Sequence, residues 1–427
     1  MKIAIAGYGI EGQENFRYWS QWPENELTIV DEKCTGTDIP EGVASLVAPD
    51  AFSQLAGFDM VIRTAGLAPR KISTDGKIWS ATNEFFEKCP APIIGVTGSK
   101  GKGTTASLIA SILEAAGKKV WLVGNIGVPA LSVLSQIQAE DIVVYELSSF
   151  QLWDIERSPK TAVVLYIETE HLDVHSSMEE YVEAKAHITR FQSADDVLIY
   201  NASNLYSSQI AEQSSAQKVG FPSYEAAHVR DGWFYYGQQQ LFPLDTVTIP
   251  GAHNIDNTLA AIDAVWAYTG DAEDIATGIA DFKGLPHRLS LVRAVNGVEY
   301  YDDSIATTPT SAIAALRAFA DKPKVLILGG SSKGSDFSEL AQEITQHDVQ
   351  VILIGDEAER IAEALQAAQF SNYEIIQDAS AEAFTRRAAE IAQPGSVVLL
   401  SPAAASFGLF KNYVDRGEQF IAAVNAL

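Results

Sequence analysis

The sequence predicts an α/β protein built on parallel sheets, and three observations carry that expectation. Short runs of Val, Ile and Leu recur along the chain without polar alternation, as strands buried on both faces require. Helical stretches separate these runs from one end to the other, the order of βα units. Glycine-rich turns directly follow two of the runs and open helices, the place where such folds cradle phosphate.

Taken in order, the expected strands are KIAIAG (2–7), LTIVD (27–31), MVIRT (60–64), PIIGVTG (92–98), KVWLVG (119–124), DIVVYEL (141–147), TAVVLYI (161–167) and DVLIYN (196–201). After a middle stretch come GVEYYDD (297–303), KVLILGG (324–330), VQVILIG (349–355) and SVVLLS (396–401). So many strands need more than one sheet, and 427 residues suit two to four domains. The stiff segment Lys88-Cys89-Pro90-Ala91-Pro92 and the break at KGLPHR (283–288) divide the chain into 1–90, 91–284 and 285–427.

Composition narrows the function. With 30 Lys+Arg against 55 Asp+Glu the net charge is −25, which argues against nucleic acid or an anionic membrane surface as partner. The two cysteines, Cys34 and Cys89, exclude a disulfide framework and a cysteine zinc site. No apolar run approaches the ~18–20 residues of a membrane span. The N-terminus MKIAIAGYGI enters a strand directly, without a signal peptide, so a cytoplasmic protein is expected.

Four motifs carry chemistry. Gly7-Tyr8-Gly9-Ile10-Glu11-Gly12, with Asp31 ending the next strand, has dinucleotide-fingerprint spacing, and leaves open a nicotinamide or another nucleotide. Gly98-Ser99-Lys100-Gly101-Lys102-Gly103-Thr104-Thr105 lies between a strand and the helix TTASLIASILEAAG and reads as a phosphate loop. It departs from the common spacing: Val96 replaces the first glycine, and Gly103 follows the lysine, so the Mg²⁺-ligating hydroxyl falls to Thr104 or Thr105. Glu146 ends a strand in the same region and suits a metal ligand or water holder. Glu168-Thr169-Glu170-His171-Leu172-Asp173-Val174-His175 offers His171 as a second metal ligand, with Asp173 and His175 expected in an outer shell or on the surface.

These residues add up to a resemblance. GVTGSKGKGTT, GNIGVP (124–129), ELSSFQL (146–152), HLDVH followed by YVEAK, GAHNIDN (251–257), LPHR (285–288), DDSIATT (302–308), GGSSKGSDF (329–337) and LSPAAASFGLFKNYVDRGEQF (400–420) stand in the order seen in the Mur amide ligases. The likeness spans nearly the whole chain. It implies a Rossmann-like N-terminal domain, a central P-loop ATPase-type domain and a Rossmann-like C-terminal domain. It also implies a cytoplasmic, monomeric enzyme of peptidoglycan precursor synthesis, with ATP and two Mg²⁺ ions. The implied substrates are UDP-N-acetylmuramoyl-L-alanine and D-glutamate, joined through an acyl phosphate. Runner-up readings are another amino-acid acceptor, or a folylpolyglutamate-synthase-like ligase.

By matching motif positions, the resemblance assigns Gly9, Ile10, Glu11, Asp31, Glu32 and Asn125 to the UDP substrate. It gives the loop residues 98–105, Asn257, Arg288 and Asp303 to ATP. Thr104, Glu146, His171 and Lys185 fall to the metal sites, the last as a carbamylated lysine. Lys102, Glu146, His171 and Lys185 form the implied catalytic set, and Thr307, Lys333, Ser406 and Tyr413 the amino-acid pocket. Ile305 and Gly408 stand where the family commonly has Lys and Asp, Tyr413 where it has Phe, and Tyr166 and Glu170 where Asn and Asp are commoner.

Overall fold

The Val/Ile/Leu runs become the inner strands of three sheets in a computed structural model of the chain, which describes residues 1–33, 38–171, 174–332 and 334–427. Two compact units form: Met1–Val247 with Ile255–Phe282, and Thr248–Asn254 with Lys283–Leu427.

The first unit holds two parallel sheets. One contains β1 (Lys2–Ala6), β2 (Glu26–Asp31), β3 (Ala44–Val47), β4 (Met60–Arg63) and β5 (Lys77–Ser80), in the order β3-β2-β1-β4-β5. The other contains β6 (Ile93–Thr97), β7 (Val120–Gly124), β8 (Ile142–Glu146), β9 (Thr161–Val164), β10 (Val197–Asn201) and β11 (Gln217–Phe221), in the order β11-β10-β9-β6-β8-β7. Every residue of β6, β8 and β9 is buried, so both faces are covered, as the unbroken apolar runs require. One apolar cluster runs from Ile3 and Ile62 through Phe85 to Tyr145 and Val164, which fuses the two sheets into one unit. A small antiparallel sheet, β12 (Ala227–Arg230), β13 (Trp233–Tyr236) and β14 (Gln239–Pro243), follows.

The second unit is one six-stranded sheet. It contains β15 (Ser290–Val295), β16 (Val298–Asp302), β17 (Lys324–Gly329), β18 (Val349–Ile354), β19 (Tyr373–Ile375) and β20 (Val397–Leu400), in the order β15-β16-β20-β17-β18-β19. All pairs are parallel except β15 with β16.

In each of the three larger sheets the strand order reverses: beside β1, beside β6 and beside β17. Crevices at such reversals, off the carboxyl ends of the strands, are where open α/β sheets take ligands. The sequence motifs fall there: Gly7–Gly12 after β1, Gly98–Thr105 after β6, Glu146 at the end of β8, and Asp302–Asp303 at the end of β16. Among the described residues no helix is long and apolar enough to cross a membrane.

Candidate active site

Glycine is demanded where the phosphate loop turns. Gly98 has φ 152° and Gly101 φ 87°. A Cβ would lie 2.8 Å from the Leu165 Cβ at Gly98, and 2.3 Å from the Asn257 Oδ1 at Gly101. The loop then enters the helix Lys102–Ala115, whose first N–H groups face outward from β6. Asn257, matched in sequence to an adenine contact, lies buried under the loop, its Oδ1 accepting from the Thr105 hydroxyl at 3.3 Å.

Two lysines meet on one carbonyl. The Lys102 Nζ donates to the Gly98 O at 3.0 Å and the Ser99 O at 2.9 Å. The Lys185 Nζ, from the helix Met178–Arg190, donates to the same Gly98 O at 2.8 Å. Lys185 is only 1% exposed. Burial, reinforced by the charge of Lys102, pushes its ammonium well below the usual lysine range. Its side chain therefore sits inside the site, unlike an ordinary surface lysine of a helix. Glu146 lies close enough to feel both cations. Burial raises its carboxyl, while Lys102, the Asn125 N–H (3.1 Å) and Lys185 oppose that rise.

The loop after β9 closes the other side. The Ser99 hydroxyl donates to the Glu168 O at 3.0 Å, accepts the Glu168 N–H at 3.0 Å, and lies 2.9 Å from the Tyr181 hydroxyl. Lys100 pairs with Glu170 at 2.8 Å. Burial works to raise the Glu170 carboxyl, but Lys100, Lys102 and His171 together outweigh it and the net shift is downward. His171 adopts φ 58°, rare for a residue with a side chain, and its ring lies 5.0 Å from that of Phe150. His175 corrects the expectation of a surface position. It is 1% exposed, stacked on Phe150 at 5.4 Å, 4.4 Å from the Trp153 ring and 3.0 Å from the Ser149 hydroxyl. The aromatic partners surrounding it, distant in sequence, explain the burial. Leu172 and Asp173 lie outside the described residues.

The donor chemistry fits a divalent ion shared with phosphate. Among the described residues no three His, Cys, Asp or Glu side chains converge on one point. Mg²⁺ characteristically takes one or two protein oxygens and completes its shell with phosphate oxygens and water. The Glu146 carboxylate and the buried Thr104 hydroxyl are oxygens of that kind at the loop, and the His171 imidazole, 3.9 Å from the Glu170 carboxylate, is a nitrogen donor on the loop after β9.

At the first sheet, Gly7 has φ 91°, and a Cβ on Gly12 would lie 1.9 Å from the Gly7 O. The turn thus leaves no room for a side chain at Gly12. The Asp31 carboxylate accepts the Tyr8 N–H at 2.7 Å and the Lys33 N–H at 2.7 Å, tying the glycine turn to the end of β2. Glu11 accepts the Ala65 N–H at 2.9 Å, and burial raises its carboxyl. Ile10 and Asn125 are exposed, and Glu32 is half-buried.

The second unit builds a separate cluster. Asp302 accepts from the His287 Nδ1 at 2.6 Å and from the Ser304 N–H at 2.9 Å. The fully buried Arg416 donates to the Ser304 Oγ at 2.9 Å, the Ser304 O at 2.8 Å and the Ala404 O at 3.3 Å. Burial lowers its guanidinium to about 10, with Asp302 and Asp303 opposing. Asp303 accepts from the Ser401 hydroxyl at 2.6 Å and the Leu289 N–H at 3.2 Å; burial still raises it to about 7. Arg288 is exposed, close enough to Asp303 to act on its charge. Of the four amino-acid-pocket residues, Ser406 is buried, Thr307 is half-buried and Tyr413 is 37% exposed, while Lys333 lies outside the described residues. Arg416 and Gly417 were readable only as part of the motif VDRGEQF; neither carries a local signal of the cluster it anchors.

Comparison with known proteins bears on this geometry. Residues 96–265 match the family described as Mur ligase middle domain, and residues 287–404 the one described as Mur ligase, glutamate ligase domain. A UDP-N-acetylmuramoylalanine–D-glutamate ligase of Acetivibrio thermocellus is 37% identical, covering 100% of this chain and 96% of that protein. The enzyme of the same name from Symbiobacterium thermophilum is 38% identical, covering 100% and 98%. Among solved structures, the MurF ligase of Thermotoga maritima in complex with ADP is similar in fold, with a TM-score of 0.60 at 18% identity over 99% of this chain and 94% of that one.

Proposed function

This chain belongs to the Mur ligase family, and from that premise we propose that it joins D-glutamate to UDP-N-acetylmuramoyl-L-alanine at the expense of ATP, in peptidoglycan precursor synthesis. Relatives bearing that name match it over its full length. The observation that carries the chemistry is the meeting of Lys102 and Lys185 on the Gly98 carbonyl beside Glu146.

In this reading residues 1–90 take the uridine diphosphate end, 91–284 take ATP and 285–427 take the amino acid. The muramoyl carboxylate is a poor electrophile, so it attacks the γ-phosphorus of ATP and ADP leaves. The amine of D-glutamate then attacks the acyl phosphate carbon, and the tetrahedral adduct expels inorganic phosphate. Both steps gather negative oxygens, so positioned positive charge does most of the work. Lys102 exchanges its carbonyl acceptors for β- and γ-phosphate oxygens, and the N–H groups at the start of its helix hold the same phosphates. Thr104 (or Thr105) and Glu146 would hold one Mg²⁺ and His171 a second, and the ions, when bound, would neutralise phosphate charge. Lys185, whose ammonium form burial and the Lys102 charge disfavour, is suited to add CO₂: its nitrogen bonds the carbon, a proton departs and the side chain becomes an anionic carbamate. Arg288 and Asp303 complete the nucleotide contacts. Thr307, Lys333, Ser406 and Tyr413 hold the D-glutamate carboxylates. We take the working form to be a monomer in the cytoplasm.

The test is phosphate release from Mg·ATP with UDP-N-acetylmuramoyl-L-alanine, scanned over D-Glu, L-Glu, D-Asp, L-Lys and meso-diaminopimelate. Release with D-Glu alone is expected. Release with another amino acid would move the acceptor and point to Ile305 and Gly408. Silence with all five would refute the UDP-sugar half of the reading and direct attention to a folate-type acceptor.

A further inference from the structure

Arg70 lies on the first sheet's side of the first unit, in the short turn Pro69–Lys71 after β4, and belongs to none of the motifs above. Its guanidinium nevertheless ends on the loop that carries His171. One arm donates to the Glu180 Oε1 at 2.7 Å and another to the Val174 O, and the group lies 5.4 Å from the centre of the Trp153 ring. The second Glu180 oxygen accepts the Ser176 N–H and, at 2.6 Å, the Ser176 hydroxyl. One carboxylate therefore joins Arg70 to the end of the loop.

The loop needs such support. His171 sits at φ 58°, where a side chain is uncomfortable and surroundings must hold it. Its carbonyl accepts the N–H of Val174 at 3.1 Å and of His175 at 2.9 Å, so the two residues fixing its turn are the one Arg70 grips and its neighbour. The His175 ring, locked between Phe150 and Trp153 and beside the Ser149 hydroxyl, ties the same turn to the segment three residues after Glu146. Arg63 in turn holds that segment from the first sheet, through Asp154 at 2.7 Å and the Phe150 O at 3.0 Å.

We infer that Arg70 is a positioning residue for His171, bracing its imidazole toward a divalent ion bound with nucleotide and linking that ion's geometry to the half of the unit that takes the UDP substrate. The inference rests on the metal-ligand role given above to His171. Residues that orient a metal ligand without touching the metal typically contribute about 10–100-fold in metal affinity or activity.

The test uses the full-length enzyme with Mn²⁺ and a non-hydrolysable ATP analogue, read by the ¹⁴N coupling of a histidine nitrogen to Mn²⁺ in pulsed EPR and by the Mn²⁺ concentration for half-occupancy. Wild type is expected to show the coupling. Arg70→Ala is expected to lose it and to need about 10-fold more Mn²⁺. Arg70→Lys, whose ammonium can reach Glu180 but not all three partners, should recover part of both. Lys77→Ala is the control: it removes another cation pairing across the same unit, with Glu156 at 3.1 Å and over the Trp79 ring rather than with the loop. Retained coupling in Arg70→Ala, or equal loss in Lys77→Ala, would overturn the brace while leaving His171 a ligand. No coupling in wild type would overturn both, which separates the two failures.

Discussion

At the C-terminal edge of the second sheet, Lys102 and Lys185 end on a backbone carbonyl; at the corresponding edge of the six-stranded sheet of the second unit, His287 ends on Asp302, and the buried Arg416, bonded to Ser304, feels the charge of Asp302 and Asp303. A carbonyl is a neutral acceptor that a phosphate oxygen can replace with gain, because charge-assisted hydrogen bonds are the stronger ones. Asp302, already held by the His287 Nδ1 and the Ser304 N–H within reach of the Arg416 charge, has nothing to gain by leaving. The lysine edge is built to exchange partners, and the arginine edge is built to keep them. In the first the ligand completes the electrostatics; in the second the fold has completed them beforehand, and the cluster serves as a rigid seat for the groups around it.

Three substitutions can break or sharpen that contrast. Lys102→Ala should have the largest effect, lowering kcat for phosphate release by about 10³-fold, the scale of losing one charge-stabilising donor. Its thermal midpoint should stay near wild type, since the lysine's present acceptors are carbonyls that water can serve. A large drop in stability would mean the lysine is structural after all. Gly417→Ala addresses the other edge. The added methyl would lie 2.2 Å from the His287 Nδ1 and 2.8 Å from the Asp302 Oδ2. Loss of about 1–3 kcal/mol is expected, read by denaturant unfolding, together with a smaller fall in kcat than Lys102→Ala gives. An unchanged unfolding midpoint would show that the cluster yields easily and is no rigid seat.

The smallest effect concerns a carboxyl outside either site. Asp263 accepts the Ala227 N–H at 2.9 Å, its other oxygen is buried without a partner, and burial raises it to about 7. An acid whose folded value lies above its unfolded one, near 3.8, contributes stability below that value and loses it as pH rises toward 7. Asp263→Asn removes this titration. Its midpoint should match wild type near pH 4 and exceed it by several degrees at pH 8, with phosphate release unchanged. Parallel pH curves would refute the buried ionisation.

Much of this was legible in the sequence where the cause is local. Buried parallel strands such as Ile93–Thr97 and Lys324–Gly329 must be apolar throughout, so they announce themselves. The edge strands Ala44–Val47 and Lys77–Ser80 are partly exposed and short, and the antiparallel strands from Ala227 to Pro243 carry polar residues, so no unbroken run marked them. The glycine–lysine loop was readable because phosphate binding needs those types at fixed spacing. His175, Arg63, Arg70 and Arg416 were not readable, because their partners come from distant segments: Asp154 lies 91 residues from Arg63, and Ser304 112 from Arg416. The burial of Lys185 belongs to the same class, since its acceptor, Gly98, lies 87 residues away.

The Arg63–Asp154 pair also has a consequence for the birth of the protein. Arg63 ends β4 with no exposed surface, and its ion-pair partner Asp154 comes after the first three strands of the next sheet in chain order. As the chain leaves the ribosome, β1 to β5 are all available by residue 80, with the Glu11 charge nearby, yet the carboxylate that hydrogen-bonds the Arg63 guanidinium arrives only with residue 154. Leaving a buried guanidinium unpaired costs about 3–5 kcal/mol, a large share of what a sheet of that size can muster. The first sheet is therefore expected to stay loose while the second is made, and the two to consolidate together, so that neither half is handed to the cell finished without the other.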